Sequence, residues 1–192
     1  MVTGWHDDAV ILTVWVPGWV LEEDRLIVSL GDEWSSWLTF EEAAGPQLPG
    51  AEPEVVRGTA RGLPSWPGAS PGRHPVRIDI EAGCLYWDAP APVEGPIEVA
   101  GSVESNNIDA PVGVPETRGV VRRITMRWHT IVLGPDRVWT YIGAPRREEV
   151  SASYLPPLPA PGVIAERPLP GATEASFSGV LLDLELTGTV DG

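Results

Sequence analysis

Lysine is missing from this chain: all 13 basic residues are arginine. A single cysteine, Cys84, stands in 192 residues. That excludes a disulfide framework within the chain and any cysteine-based zinc site. Long apolar runs are missing too, since no stretch approaches the roughly 18 residues of a membrane-spanning helix. The opening, MVTGWHDDAV, has neither a basic region nor a cleavage site, so a cytoplasmic protein is expected. Positive charge is scarce: 27 acids against 13 Arg leave a net −14. The deficit is concentrated in residues 1–54, which hold 11 acids and one base, Arg25. Such a surface repels phosphate backbones and anionic lipid, so neither nucleic acid nor membrane is an expected partner. No nucleophile elbow, phosphate loop, dinucleotide fingerprint, HExxH pattern or calcium loop occurs. No catalytic residue, metal or cofactor is therefore assigned.

What is present points to strands. The apolar fraction of 43% supports a core, while 21 Gly and 21 Pro fit many short strands joined by turns. The organising stretch is Arg118–Leu133, RGVVRRITMRWHTIVL. Ile124, Met126 and Trp128 face one way, and Arg123, Thr125, Arg127 and His129 the other, a period of two. Sixteen extended residues would span roughly 53 Å, too far for a domain of this size to hold straight. The strand must bend or serve two sheets, which is the habit of barrels and orthogonal sandwiches.

The expected fold is thus all-β: one domain over residues 1–192, a barrel or orthogonal sandwich of about 8–10 strands with at most one or two short helices. Residues 9–16 read as a buried strand stopped by Pro17-Gly18, Trp19–Asp24 as a turn, and Leu26–Val28 as a second strand. In residues 33–44, Trp34, Trp37, Leu38 and Glu41 have helical spacing before Gly45-Pro46, which favours a short helix. Read as a strand instead, the same stretch puts Trp34, Leu38 and Phe40 on one face. Residues 46–75 form a long Pro/Gly-rich loop or insertion around Val55–Ala60, an expected edge strand. Val76–Glu81 pairs with a hairpin partner at Leu85 and Trp87, and Ile97–Glu104 alternates cleanly. Val138–Ile142 returns along the central strand. Residues 156–172 are a Pro-rich connector, its PPLPAP (Pro156–Pro161) a rigid spacer, before a last strand at Ser176–Leu186.

Each chemical candidate has a plain structural counterpart. Arg123, Arg127 and His129 on one strand face, with Trp66 in the long loop as an exposed contact residue, would make an anion- or ligand-binding site. Alternatively the clustered arginines Arg118, Arg122, Arg123 and Arg127 pair across strands with carboxylates such as Glu98, Glu104, Asp183 or Glu185, the better-supported reading in so acidic a chain. His6-Asp7-Asp8 has the form of a metal-binding pair, yet only His74 and His129 remain as further ligands, so a terminal turn is favoured. Cys84 reads as buried. Of the nine Trp, Trp15, Trp87 and Trp128 sit in strands and are assigned to the core.

The acids Glu22, Glu23, Asp24, Asp32, Glu33, Glu41 and Glu42 cluster around two turns, with Arg25 alone nearby to neutralise them. They suit a docking face for a basic protein. The expected function is a non-catalytic cytoplasmic binding protein, for example the neutralising partner of a basic toxin steered by charge. The competing reading is a small-molecule-binding barrel or small enzyme with a Trp-lined pocket and an Arg/His polar face. A closed pocket holding those arginines favours the second reading, and a solid core with a broad acidic patch the first.

The segments GSVESNNIDAPVGVP (Gly101–Pro115), ETRGVVRRI (Glu116–Ile124), TVWVPGW (Thr13–Trp19) and SLGDEW (Ser29–Trp34) resemble a domain-of-unknown-function family of small acidic Trp-rich β proteins from high-GC bacteria. Paired cysteines in that family stand where this chain has Glu23-Asp24, so the resemblance carries no redox or metal role to these positions. It implies kinship and a shared fold.

Overall fold

A computed structural model describes residues 10–43, 53–106, 113–155 and 169–190. His6, Asp7 and Asp8 and the PPLPAP segment lie outside the described residues. The elements run β1 (Ile11–Pro17), α1 (Gly18–Asp24), β2 (Glu33–Glu42), β3 (Glu54–Gly62), β4 (His74–Ile80), β5 (Gly83–Ala89), β6 (Gly95–Asn106), β7 (Glu116–Leu133), β8 (Trp139–Val150) and β9 (Thr173–Val190). The strands close into an eight-stranded barrel in the order β2-β5-β4-β3-β6-β1-β9-β7 and back to β2, with β8 added along β7.

The central strand does what its length demanded. Along one edge β7 pairs with β9 over its whole length, with bulges between Arg118 and Gly119, Val121 and Arg123, and Arg127 and Trp128. Its other edge serves β2 at Thr117–Val120 and β8 at Ile124–Leu133. Bulges sharpen the local twist and let one strand turn between neighbours. β2 is shared in the same way: Glu33–Ser36 pair with β7, Thr39 and Phe40 with β5, and Trp37–Glu42 with β6. The β2–β6 approach requires a glycine. A Cβ at Gly101 would stand 2.1 Å from the Glu41 carbonyl and 2.5 Å from the Phe40 ring.

Side chains fill the barrel interior. Val14 and Val16 of β1, Leu38 and Phe40 of β2, and Leu182 and Leu184 of β9 are all buried, and Phe40 meets Trp87 edge-on at 5.7 Å between centroids. Burial of this kind stabilises at roughly 25 cal/mol per Å² of apolar surface. Two polar pairings cross between strands beneath it. Thr117 Oγ1 accepts from the Cys84 amide at 2.9 Å and donates to the Cys84 carbonyl at 2.7 Å, pinning β5 to β7. Ser36 and Ser105 join their hydroxyls at 2.7 Å between β2 and β6.

Three local expectations are corrected. Residues 33–42 are a strand, not a helix; Trp34, Leu38 and Phe40 share the inner face, and Ser36 between them finds Ser105. The helix lies earlier, where Pro17-Gly18 opens α1 instead of a turn; Val20 and Leu21 enter the core and Arg25 closes the helix in the left-handed conformation. Leu26–Val28 is not a strand. Its one neighbouring bridge is Ser29 to Ala152, and Val28 is held by the hydroxyl and amide of Ser153. In addition, β3 is no edge strand, because β4 and β6 flank it.

Candidate functional site

Among the shallow hollows on the surface of the described residues, two hold polar residues of interest. The first, about 340 Å³, is lined by Thr13, Arg123, Thr125, Arg147, Glu149 and Asp183 with Leu181. β7 and β9 pair Arg123 with Asp183, and the Arg123 Nε reaches the Asp183 carboxylate at 2.8 Å. Thr13 Oγ1 donates to the same carboxylate at 3.1 Å. Its neighbour Arg122 pairs with Glu185. This is the cross-strand pairing the sequence favoured, with Asp183 and Glu185 as partners.

Arg127 and His129 do not join Arg123 on an open stripe. Arg127 is 2% exposed and His129 9%. The bulges at Arg127–Trp128 against β9 and Trp128–Thr130 against β8 reset the alternation, and Tyr141 of β8 packs its ring on His129 at 4.8 Å. Burial, and then the Arg127 charge, hold the His129 pKa below its ordinary value. Trp66 is also placed differently from an exposed contact residue. Half-buried, it stands edge-on to Tyr86 at 6.0 Å over a small outer cluster with Cys84 and Val114. Cys84 is fully buried, donates to the Pro115 carbonyl at 3.2 Å and has its pKa raised by burial.

The second hollow, about 330 Å³, is lined by Trp15, Pro17, Trp19, Glu22, Glu104, Tyr141, Phe177 and Ser178. It forms where β1 turns into α1 beside β6, β8 and β9. Pro17 pairs with Gly179 in β9. Gly179 has φ +147°, and a Cβ there would lie 2.8 Å from the Trp15 ring and 2.2 Å from the Val16 carbonyl. The missing side chain therefore lets the Trp15 indole settle against β9. Trp19 and Tyr141, 48% and 55% exposed, stand at the rim.

Glu104 is the charged group this hollow disturbs most. Its register partners are Trp15 on β1 and Thr39 on β2. Burial, followed by repulsion from Glu41, pushes its pKa to about 7. Glu41 is raised too, by burial first and Asp88 second, with Arg73 opposing. Glu22, Glu104 and Glu41 thus come from α1, β6 and β2 to neighbouring places on one outer face.

Two of the expected docking acids do not gather there. Asp32 and Glu33 lie at the opposite end of β2 from Glu41 and Glu42, roughly 30 Å away along an extended strand. Asp32 instead closes its own loop by accepting from the Ser29 amide at 2.8 Å. Glu22 and Glu23 are exposed on α1; the Asp24 side chain lies outside the described set. Sequence reading missed Glu104, Trp19, Tyr141 and Phe177. Glu104 looks like any outward acid on an alternating strand, and only the parallel pairing of β1 with β6 shows what it adjoins.

No family model, no curated protein and no solved structure matches this chain. Among the described residues no group of three or more His, Cys, Asp or Glu is placed to hold a metal ion, and no helix is long and apolar enough to cross a membrane.

Proposed function

We propose that this protein is a non-catalytic cytoplasmic binding domain that docks a basic protein through the carboxylates of its outer face. The observation that carries this reading is the convergence of Glu22, Glu104 and Glu41 from three elements beside exposed aromatic rings. A barrel interior filled by side chains leaves little room for an enclosed small-molecule site. Arg123, one of the polar groups on which the small-molecule reading depended, is engaged by Asp183 in an open hollow. A net charge of −14 adds long-range attraction for a cationic partner. Neutralising a basic toxin is one concrete form of this function.

The test is the association rate of a basic protein recovered from the native host, measured against ionic strength. Steered association slows as salt shortens the Debye length to about 8 Å near 0.15 M. Replacing Glu22, Glu23, Glu41 and Glu42 together with Gln is expected to slow association at low salt by about tenfold and to flatten the salt slope. Identical slopes for the two proteins would refute the docking face.

A further inference from the structure

We infer that the aromatic hollow between α1, β1, β6 and β9 is a receptor for a single arginine side chain of the partner. This rests on the docking function proposed above and names the group that the partner inserts. Two observations point to a cation. The hollow is walled by Trp15, Trp19, Tyr141 and Phe177, whose ring faces attract positive charge. Glu22 and Glu104 also line it, and Glu104 is held in a desolvated place next to another carboxylate. An incoming cation relieves that repulsion and replaces the water lost by burial.

A third observation selects guanidinium over ammonium. Ser178, also in the lining, has a buried Oγ with no hydrogen-bond partner among the described residues. A guanidinium carries five N–H donors in a plane, enough to reach carboxylates and a hydroxyl while its face lies on an indole. An ammonium is more strongly hydrated and has no flat face to stack. The protein already uses this packing nearby: the Arg146 guanidinium sits over the Trp128 ring at 5.5 Å. Trp128 in turn packs at 5.2 Å on Phe177, a wall of the hollow. Arginine on aromatic is thus a contact this surface makes within its own fold.

The probe is N-acetyl-arginine amide, titrated into the full chain at pH 8 and 0.15 M salt, with N-acetyl-lysine amide as comparison. The readout is the set of indole N–H signals in a two-dimensional amide spectrum, assigned by single Trp→Phe substitutions. Saturable shifts confined mainly to Trp15 and Trp19 are expected, with lysine amide binding about tenfold more weakly. Glu104→Gln and Trp19→Ala are each expected to weaken arginine binding by about tenfold or more. Glu104→Gln removes a repelled charge and keeps the shape, so its fold is not at risk. Absence of saturable shifts, equal response to lysine, or unchanged affinity in Glu104→Gln would overturn the arginine receptor. None of these results bears on salt-steered docking of the basic protein, so the two readings fail separately.

Discussion

The Trp66 indole donates its Nε1–H to the phenol oxygen of Tyr86 at 3.0 Å, and Tyr86 passes its own proton to a hydrogen bond with Asp88. Asp88 also accepts from the amide and hydroxyl of Ser70, at 3.1 and 2.6 Å. The chain of bonds straps the loop between β3 and β4 onto the outer face of β5. Burial and the bond to Asp88 push the Tyr86 pKa up to about 12.

Tyr86→Phe removes the middle of that strap while keeping the ring. The Trp66 N–H then loses its acceptor and Asp88 a donor, so a loss of about 1–3 kcal/mol is expected. Urea denaturation midpoints check the loss. Amide exchange across residues 63–73 should rise by more than in the barrel strands, because the loop has few other anchors. Uniform destabilisation with no local increase would show that the strap does not hold the loop.

Glu104 supplies a pH dependence of defined sign. Its folded pKa of about 7 lies above the ordinary 4.5, so the fold favours the protonated form. Stability from this group is greatest below 4.5, falls as pH rises toward 7, and is flat above. The gap corresponds to at most about 3 kcal/mol, less after relaxation and water entry. Glu104→Gln should be more stable than wild type at pH 8 and should lose the decline between pH 5 and 7 that Glu104 causes. Melting temperatures of both proteins across pH 4.5–8 decide it. A parallel pair of curves would place Glu104 in ordinary solvent.

Legibility in the sequence followed the strength of alternation. β7, β9 and the β4–β5 hairpin were readable because Ile124, Met126, Leu182, Leu184, Val76 and Ile78 alternate with polar residues on a two-residue period. β2 was not, because Ser36 interrupts its inner face and Trp34, Trp37, Leu38 and Glu41 happen to fall at helical intervals. Ser36 is tolerated there through its bond to Ser105, 69 residues on, which no local pattern shows. Pro17-Gly18 was legible as a break in β1 but not as the opening of α1, whose hold on the core is the burial of Val20 and Leu21. The site was less legible than the fold. Outwardness on a strand does not say what lies above it, so Arg127 and His129 read like Arg123 although Arg127 is nearly inaccessible.

That difference between two arginines on the same strand is itself measurable. Arg123 is 53% exposed at its side chain and bridges Asp183. An exposed cross-strand pair contributes roughly 0.2–1 kcal/mol, screened by salt, so Arg123→Gln should move the urea midpoint little and less still in 0.5 M salt. Arg127 is 2% exposed, so its stem is buried as well as its charge, and that charge acts on His129. Arg127→Gln removes packing and charge from a closed place, and a loss of about 2–4 kcal/mol is expected, insensitive to salt. It should also let the His129 pKa rise, because the Arg127 charge is one of the two causes that lower it. An NMR titration of the His129 ring in wild type and Arg127→Gln measures that directly. Equal stability losses for the two substitutions, together with an unmoved His129, would mean that the bulges at Trp128 do not separate Arg127 from the open face.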